Sequence, residues 1–136
     1  MPVAIRTPIR RLSQAEFGDL AYAVMNCIFE VHSELGHGFL KEVYHESLEL
    51  ELTQRGIPFE SKPKLILFYK GQSLKKQYEA DLIVVGEIVV ELKAVKNLLL
   101  EHEAQLINYL RATQKRVGYL VNFGSFPKLE WKRFVL

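Results

Sequence analysis

The chain of 136 residues has little of what disulfide-bonded, cysteine–zinc or membrane-spanning proteins need. Its single cysteine, Cys27, cannot form an intrachain disulfide and excludes a cysteine-based zinc cage. It contains no apolar run of about 18 residues, the length that predicts a transmembrane helix, and its first residues lack the apolar core of a secretion signal. We therefore expect a cytoplasmic protein that does not associate with a membrane.

The composition is otherwise that of a globular domain, with 49% hydrophobic and 25% charged residues. A chain of this length can bury a core without covalent cross-links. The net charge of +2 conceals an asymmetry: residues 1–60 carry 5 Lys+Arg against 9 Asp+Glu, and residues 61–136 carry 13 against 7. The basic half is compatible with contact to a phosphate backbone, and equally with an ordinary solvated surface.

A helical pattern dominates the first part of the chain. Ser13 and Glu16 form a predicted capping box, and apolar residues recur behind them at helical spacing until Gly36. A second helix is predicted from about Leu40 to Arg55, before a glycine that can end it. Two consecutive helices are therefore expected before any strand.

The apolar period then changes to that of strands. Strands are predicted at 64–69, 74–84, 88–95, 117–122 and 131–136, and a third helix at 101–113. The order ααβββαββ predicts an α/β fold in packed layers. We interpret residues 1–12 as an N-terminal arm and residues 13–136 as a single domain.

Three charged residues interrupt the predicted apolar strands. Asp81 lies between apolar residues of one strand, and Glu91 and Lys93 lie in the next. Glu91 and Lys93 project from the same face because they are two residues apart. Burying an ionised carboxylate costs on the order of several kcal/mol unless it is paired or bound to a cation. These residues are therefore candidates for a functional site.

The loop between the two strands decides whether the carboxylates meet. A three-residue loop, 85–87, would place Asp81 opposite Glu91, whereas a two-residue loop would send Asp81 to the other face. If the carboxylates meet, their oxygens suit Mg²⁺, Mn²⁺ or Ca²⁺ better than zinc. Such a site would support metal-assisted phosphodiester hydrolysis. The alternative is a cross-strand ion pair on an open face.

At these residues the sequence resembles a known pattern. Asp81 followed ten residues later by Glu91-Leu92-Lys93 is similar to the signature of the PD-(D/E)XK nuclease superfamily. More narrowly, the chain resembles the small GxxExxY family within that superfamily. The similar segments are 31–40, Tyr44, 80–82, 90–95 and 102–106, and the resemblance as a whole covers about residues 15–125.

The resemblance implies a restriction-endonuclease-like core with a mixed central sheet flanked by helices. It also implies roles at the interrupted strands: Asp81, Glu91 and the backbone carbonyl of Leu92 would bind Mg²⁺ or Mn²⁺. Lys93 would position the attacking water or the scissile phosphate. Gln105 and Tyr109, one helical turn apart, resemble a Gln-x-x-x-Tyr feature that would face the site, although Tyr109 could equally be a core residue.

One position departs from the family pattern. Gly38 and Tyr44 match it, but Lys41 stands where the family has glutamate. Glu42 is rotated by about 100° around the helix and does not simply replace it. Lys41 would weaken metal binding, or form an ion pair with Asp81 or Glu91 in an inactive site.

Three hypotheses follow. The first is a metal-dependent nuclease acting on DNA or RNA. The second is a nuclease-fold module that binds nucleic acid or a protein without turnover. The third is an oligomeric interaction protein with no nucleic-acid partner. A homodimer or a partner protein could supply substrate recognition that a domain of this size lacks.

Overall fold

The computed structural model describes residues 12–136, so the predicted arm, apart from Leu12, lies outside the described residues. The helices are α1 (Gln14–Leu35), α2 (Lys41–Gln54) and α3 (Leu100–Thr113). The strands are β1 (Phe59–Ser61), β2 (Lys64–Tyr69), β3 (Gln72–Glu79), β4 (Leu82–Val84), β5 (Ile88–Lys93), β6 (Val117–Asn122) and β7 (Glu130–Val135). No helix within residues 12–136 is long and apolar enough to cross a bilayer.

The capping box at the start of α1 is confirmed. The backbone N–H of Glu16 donates to Ser13 Oγ at 3.1 Å, and that of Ser13 donates to Glu16 Oε2 at 2.7 Å. These bonds satisfy N–H groups that a helix start leaves without partners. The helix ends before Gly36, whose φ of 68° suits a residue without a side chain. The limits of α1 were therefore readable from local sequence.

Five strands form a mixed central sheet in the order β1-β4-β5-β6-β7, with β5 and β6 parallel and the other pairs antiparallel. The apolar faces of α1 and α2 pack on one side of the sheet, and α3 packs on the other. Because β5 is central and covered on both faces, its apolar residues are almost fully buried. The predicted α/β architecture, a mixed sheet flanked by helices, is confirmed.

The strand order differs from the prediction in two respects. The predicted strand 74–84 is two strands, β3 and β4, interrupted at Ala80 and Asp81, and β1 was not predicted. The cause lies opposite the interruption, where Lys62 has a φ of 50° and Pro63 has no N–H to donate. Backbone bonds from Lys62 N–H to the Asp81 carbonyl and from Ala80 N–H to the Pro63 carbonyl bridge the bend. β1 has only three residues, too few to show a period.

β2 and β3 form a separate two-stranded hairpin beyond this bend. Leu65 and Leu67 on its inner face pack against the buried cluster that includes Leu106 and Leu110 of α3. The hairpin therefore joins the sheet next to Asp81 and shares the α3 side of the molecule.

Candidate functional site

The loop after β4 has the three-residue form. Val84 pairs with Ile88 and Leu82 pairs with Val90, with Val85 and Gly86 in the left-handed region at φ of 51° and 66°. This register continues to Asp81 opposite Glu91. Of the two loop alternatives, the structure has the one that brings the carboxylates together.

Asp81 lies at the interruption of the strand and is only 8% exposed. Its Oδ2 accepts a hydrogen bond from the backbone N–H of Leu92 at 2.8 Å. β4 pairs with β5 only as far as Val90, so the Asp81 carboxylate takes the place of a backbone acceptor there. Its other oxygen, Oδ1, lies 2.7 Å from Lys41 Nζ. Both oxygens of Asp81 therefore have partners.

Glu91 lies half-buried beside Asp81. Its Oε1 accepts hydrogen bonds from the backbone N–H of Asp81 at 3.3 Å and from the hydroxyl of Tyr78. Burial, followed by the negative charge of Asp81, raises the pKa of Glu91 to about 7. The two carboxylates therefore lie side by side where water solvates them poorly, and a bound cation would stabilise their ionised forms.

The carbonyl of Leu92 faces the same side as these carboxylates. Along a strand, the N–H and C=O groups of one residue point to the same neighbouring strand, and those of the next residue point to the opposite one. The carbonyl of Lys93 accepts from Phe123 N–H at 2.8 Å and so points toward the β6 side. The N–H of Leu92 bonds to Asp81, so the Leu92 carbonyl also points toward the edge at Asp81. Three oxygen donors, two carboxylates and one backbone carbonyl, are therefore directed to this edge of β5.

The remaining predicted site residues lie at different distances from this pair. Lys93 is half-buried on the face of Glu91 and, within residues 12–136, makes no ion pair. Gln105 is exposed on α3, and no hydrogen bond in the described part of the chain joins it to either carboxylate. Tyr109 contacts the site through Tyr78, with ring centroids 3.5 Å apart. Tyr109 therefore supports the residue that bonds Glu91.

Tyr78 is the site residue that sequence reasoning missed. It is 5% exposed, on the inner face of β3, and burial and the adjacent Glu91 raise its pKa. In one continuous strand, residues three apart point to opposite faces, so the spacing of Tyr78 and Asp81 did not indicate that both belong to one site. The bend at Ala80 brings it over the next strand, and that bend was not predicted.

The Gly38–Tyr44 part of the motif has a structural role. The Tyr44 hydroxyl donates to the Gly36 carbonyl at 2.7 Å and accepts from Phe39 N–H at 3.2 Å. Its buried ring stacks on the ring of Phe123, with the ring centroids 4.7 Å apart. These contacts hold the turn between α1 and α2, and hence the first residue of α2, Lys41, beside Asp81. Of the two expectations for Lys41, an ion pair with Asp81 is what the structure shows.

A cleft of about 430 Å³ opens beside Asp81 along α2. In its wall, His45 Nε2 lies 2.6 Å from Glu49 Oε2 and 3.1 Å from Ser61 Oγ. Both contacts fall on the same ring nitrogen, whereas a Ser-His-Glu relay needs one on each. This cluster therefore lacks the geometry of a nucleophilic triad.

The donor chemistry fits a hard divalent cation in part. Asp81, Glu91 and the Leu92 carbonyl offer oxygen only, which Mg²⁺ and Mn²⁺ prefer. No group of three or more His, Cys, Asp or Glu side chains within residues 12–136 is arranged to hold a metal. The ammonium of Lys41 supplies the positive charge beside Asp81. A metal there would have to displace that ammonium or share Asp81 with it.

Comparison with known proteins agrees with the observed fold. The sequence model of the PD-(D/E)XK nuclease superfamily matches residues 18–134. No curated protein matches the chain at a significant level. Among solved structures, the crystal structure of SSO0001 is similar in fold, with a TM-score of 0.56 and 22% identity over 90% of this chain. The chain spans only 58% of the length of that structure.

Proposed function

Because the chain belongs to the PD-(D/E)XK nuclease superfamily, we propose that it is a metal-dependent nuclease that hydrolyses phosphodiester bonds of DNA or RNA. Proteins of this superfamily generally use divalent metals such as Mg²⁺. The observation that carries the proposal is the convergence of Asp81 and Glu91 at the interrupted edge of the sheet. Within the superfamily we assign the chain to the GxxExxY family, on the segments quoted above.

Each site residue has a distinct role in this proposal. Asp81, Glu91 and the Leu92 carbonyl would hold Mg²⁺ or Mn²⁺, which would supply positive charge and Lewis acidity at the phosphate. Lys93, on the face of Glu91, donates a hydrogen bond to the attacking water or to a phosphate oxygen. Hydrolysis adds the water oxygen to phosphorus and breaks one P–O ester bond, leaving a phosphate on one fragment and a hydroxyl on the other.

Residues around the carboxylates position them. The Tyr78 hydroxyl orients Glu91 through its hydrogen bond, and Tyr109 supports Tyr78 by stacking. Gln105 is exposed on the same helix as Tyr109 and bonds neither carboxylate, which supports a contact with substrate. We therefore expect Tyr109 to act by positioning and Gln105 by binding.

A second candidate function is a nuclease-fold module that binds without turnover. The observation that favours it is the 2.7 Å ion pair between Lys41 and Asp81, which places a fixed cation beside a proposed metal ligand. A homodimer, a protein partner and a cytoplasmic location also stay predictions.

Metal uptake and cleavage distinguish these functions. Calorimetric titration with Mg²⁺ and with Mn²⁺ should show binding to the parent and loss of binding in Asp81→Asn and Glu91→Gln. Glu34→Gln, an exposed carboxylate on α1, is the matched control. Cleavage of single- and double-stranded DNA and RNA is measured alongside. Uptake without cleavage would support the binding module, and no uptake by the parent would contradict metal-dependent hydrolysis.

A further inference from the structure

The β2–β3 hairpin, residues 64–79, is the most basic exposed element beside the site. It carries four lysines and one acidic residue, and the lysines are Lys64, Lys70, Lys75 and Lys76. All four are exposed. Three of them, Lys64, Lys75 and Lys76, line a shallow cavity of about 310 Å³ on the hairpin. Clustered ammonium groups of this kind attract phosphate oxygens.

Apolar side chains on the hairpin are exposed where a solvated strand would be polar. The inner face packs on α3 through Leu65 and Leu67, but Ile66 and Phe68 on the outer face are 51% and 61% exposed. They border a groove of about 440 Å³ that reaches the end of α3. At the tip, Tyr69 is 61% exposed, with Lys70 Nζ 5.4 Å from its ring centroid. Exposed aromatic rings among lysines favour a ligand that has both flat rings and negative charge.

We propose that the outer face of this hairpin binds a single-stranded segment of nucleic acid and directs it to the carboxylates. The inference rests on the nucleic-acid part of the proposed function. Lysines would contact successive phosphates, and Phe68 would stack on a base, which is how single strands are bound without regard to sequence. A second copy of the chain fits this face less well, because two hairpins with four lysines each would repel.

The hairpin leads directly to the site. Lys64 pairs with Glu79 at the end of the hairpin, two residues before Asp81. On the opposite face of β3, Tyr78 bonds Glu91. A strand that runs along β2 from Phe68 toward Lys64 would therefore arrive at the interrupted edge of the sheet. The cleft along α2 is lined by five acidic residues, Asp81 and Glu79 of the hairpin among them, against two lysines, so its α2 wall would repel phosphate.

Fluorescence anisotropy in EDTA tests the hairpin without depending on metal or cleavage. The probes are a labelled single-stranded oligonucleotide of about 20 residues and the same sequence as a duplex. We expect Phe68→Ala to weaken single-strand binding roughly tenfold, since stacking is lost. We expect Lys64→Gln with Lys75→Gln to weaken it roughly tenfold at low salt and to reduce the salt slope by about 1.4.

Matched controls separate the hairpin from exposure or charge in general. Tyr22→Ala removes an aromatic residue that is 72% exposed on α1, and Lys128→Gln removes an exposed lysine between β6 and β7. Both should bind as the parent does, and thermal melting should show that all variants fold.

The outcomes distinguish this inference from the proposed function. Parent cleavage with unchanged binding by the hairpin variants would overturn the hairpin inference alone. Binding that depends on the hairpin without any cleavage would support it while contradicting the nuclease function. If the hairpin variants lost the same affinity for the duplex as for the single strand, the preference for a single strand would be overturned. If they lost only self-association, the hairpin would be an interface between copies of the chain and the proposal would be overturned.

Discussion

Helix α2 and the β2–β3 hairpin border the same two carboxylates, but the two elements carry opposite net charge. Residues 41–54 contain one lysine and four glutamates, whereas residues 64–79 contain four lysines and one glutamate. The one lysine of α2 is the residue that bonds Asp81. The site therefore lies between a surface that repels phosphate and one that attracts it, and a polyanion would approach from the hairpin side.

The largest effect is expected at the carboxylates between the two regions. Asp81→Asn and Glu91→Gln keep the side-chain shape but remove the charge, so each should lower the rate of metal-dependent cleavage by roughly 100-fold or more. Initial rates with Mg²⁺ and with Mn²⁺ measure this. A variant with the parent's rate would place the chemistry elsewhere.

The second largest effect is expected at Lys41, the one lysine on the acidic helix α2. Lys41→Glu removes the ammonium beside Asp81 and adds an oxygen donor, so metal affinity should rise by roughly tenfold or more. Calorimetric titration with the metal measures the affinity, and cleavage rates should be measured alongside.

Lys41→Met is the matched control, because it removes the cation without adding a ligand. If Lys41→Glu binds metal no better than Lys41→Met, the family position is not a ligand in this chain. A gain in cleavage would show that α2 limits activity.

The pH dependence should follow Glu91. With a folded pKa of about 7, Glu91 is mostly protonated at pH 6 and mostly ionised at pH 8. Metal binds the ionised form, so apparent affinity should rise roughly tenfold over that interval. A titration at each pH measures it, and a flat profile would mean that Glu91 is not a ligand.

The same carboxyl makes stability depend on pH in the metal-free protein. Its pKa is higher in the folded protein than the ordinary value of 4.5, so the folded state holds the proton more tightly. The contribution to the free energy of unfolding is fully present below about pH 4.5 and is lost as the pH rises through about 7. Glu91→Gln should lack this change in denaturant titrations.

The smallest effect is expected on the acidic surface of α2. Glu42→Gln with Glu46→Gln should strengthen oligonucleotide binding only about two- to threefold at low salt, because exposed charges are screened. Anisotropy at low and high salt measures this, with Glu34→Gln as the control. A gain that persists at high salt would indicate a direct contact rather than repulsion.

Local sequence predicted the helices and most of the sheet well. The capping box at Ser13 and the glycine at 36 bound α1 because their effects act within a few residues. β5 was recognised because a strand buried on both faces is apolar throughout. β1 was missed because it has only three residues. β3 and β4 were merged because the bend between them depends on Lys62 and Pro63, which lie opposite it in the connection between β1 and β2.

For the candidate site, spacing identified Asp81, Glu91 and Lys93 but left the register open. The loop after β4 decided it, and two- and three-residue loops are equally compatible with the residues there. Tyr78 was missed because its contact with Glu91 crosses from one strand to another.

The amino-acid sequence by itself determined which elements form and which of their residues are unusual, because periodicity, caps and buried charges are local properties. Only the tertiary structure decided that Asp81 faces Glu91, that Tyr78 holds one carboxylate and that Lys41 holds the other. These contacts join residues 10 to 40 positions apart, and their geometry depends on how strands and helices pack together.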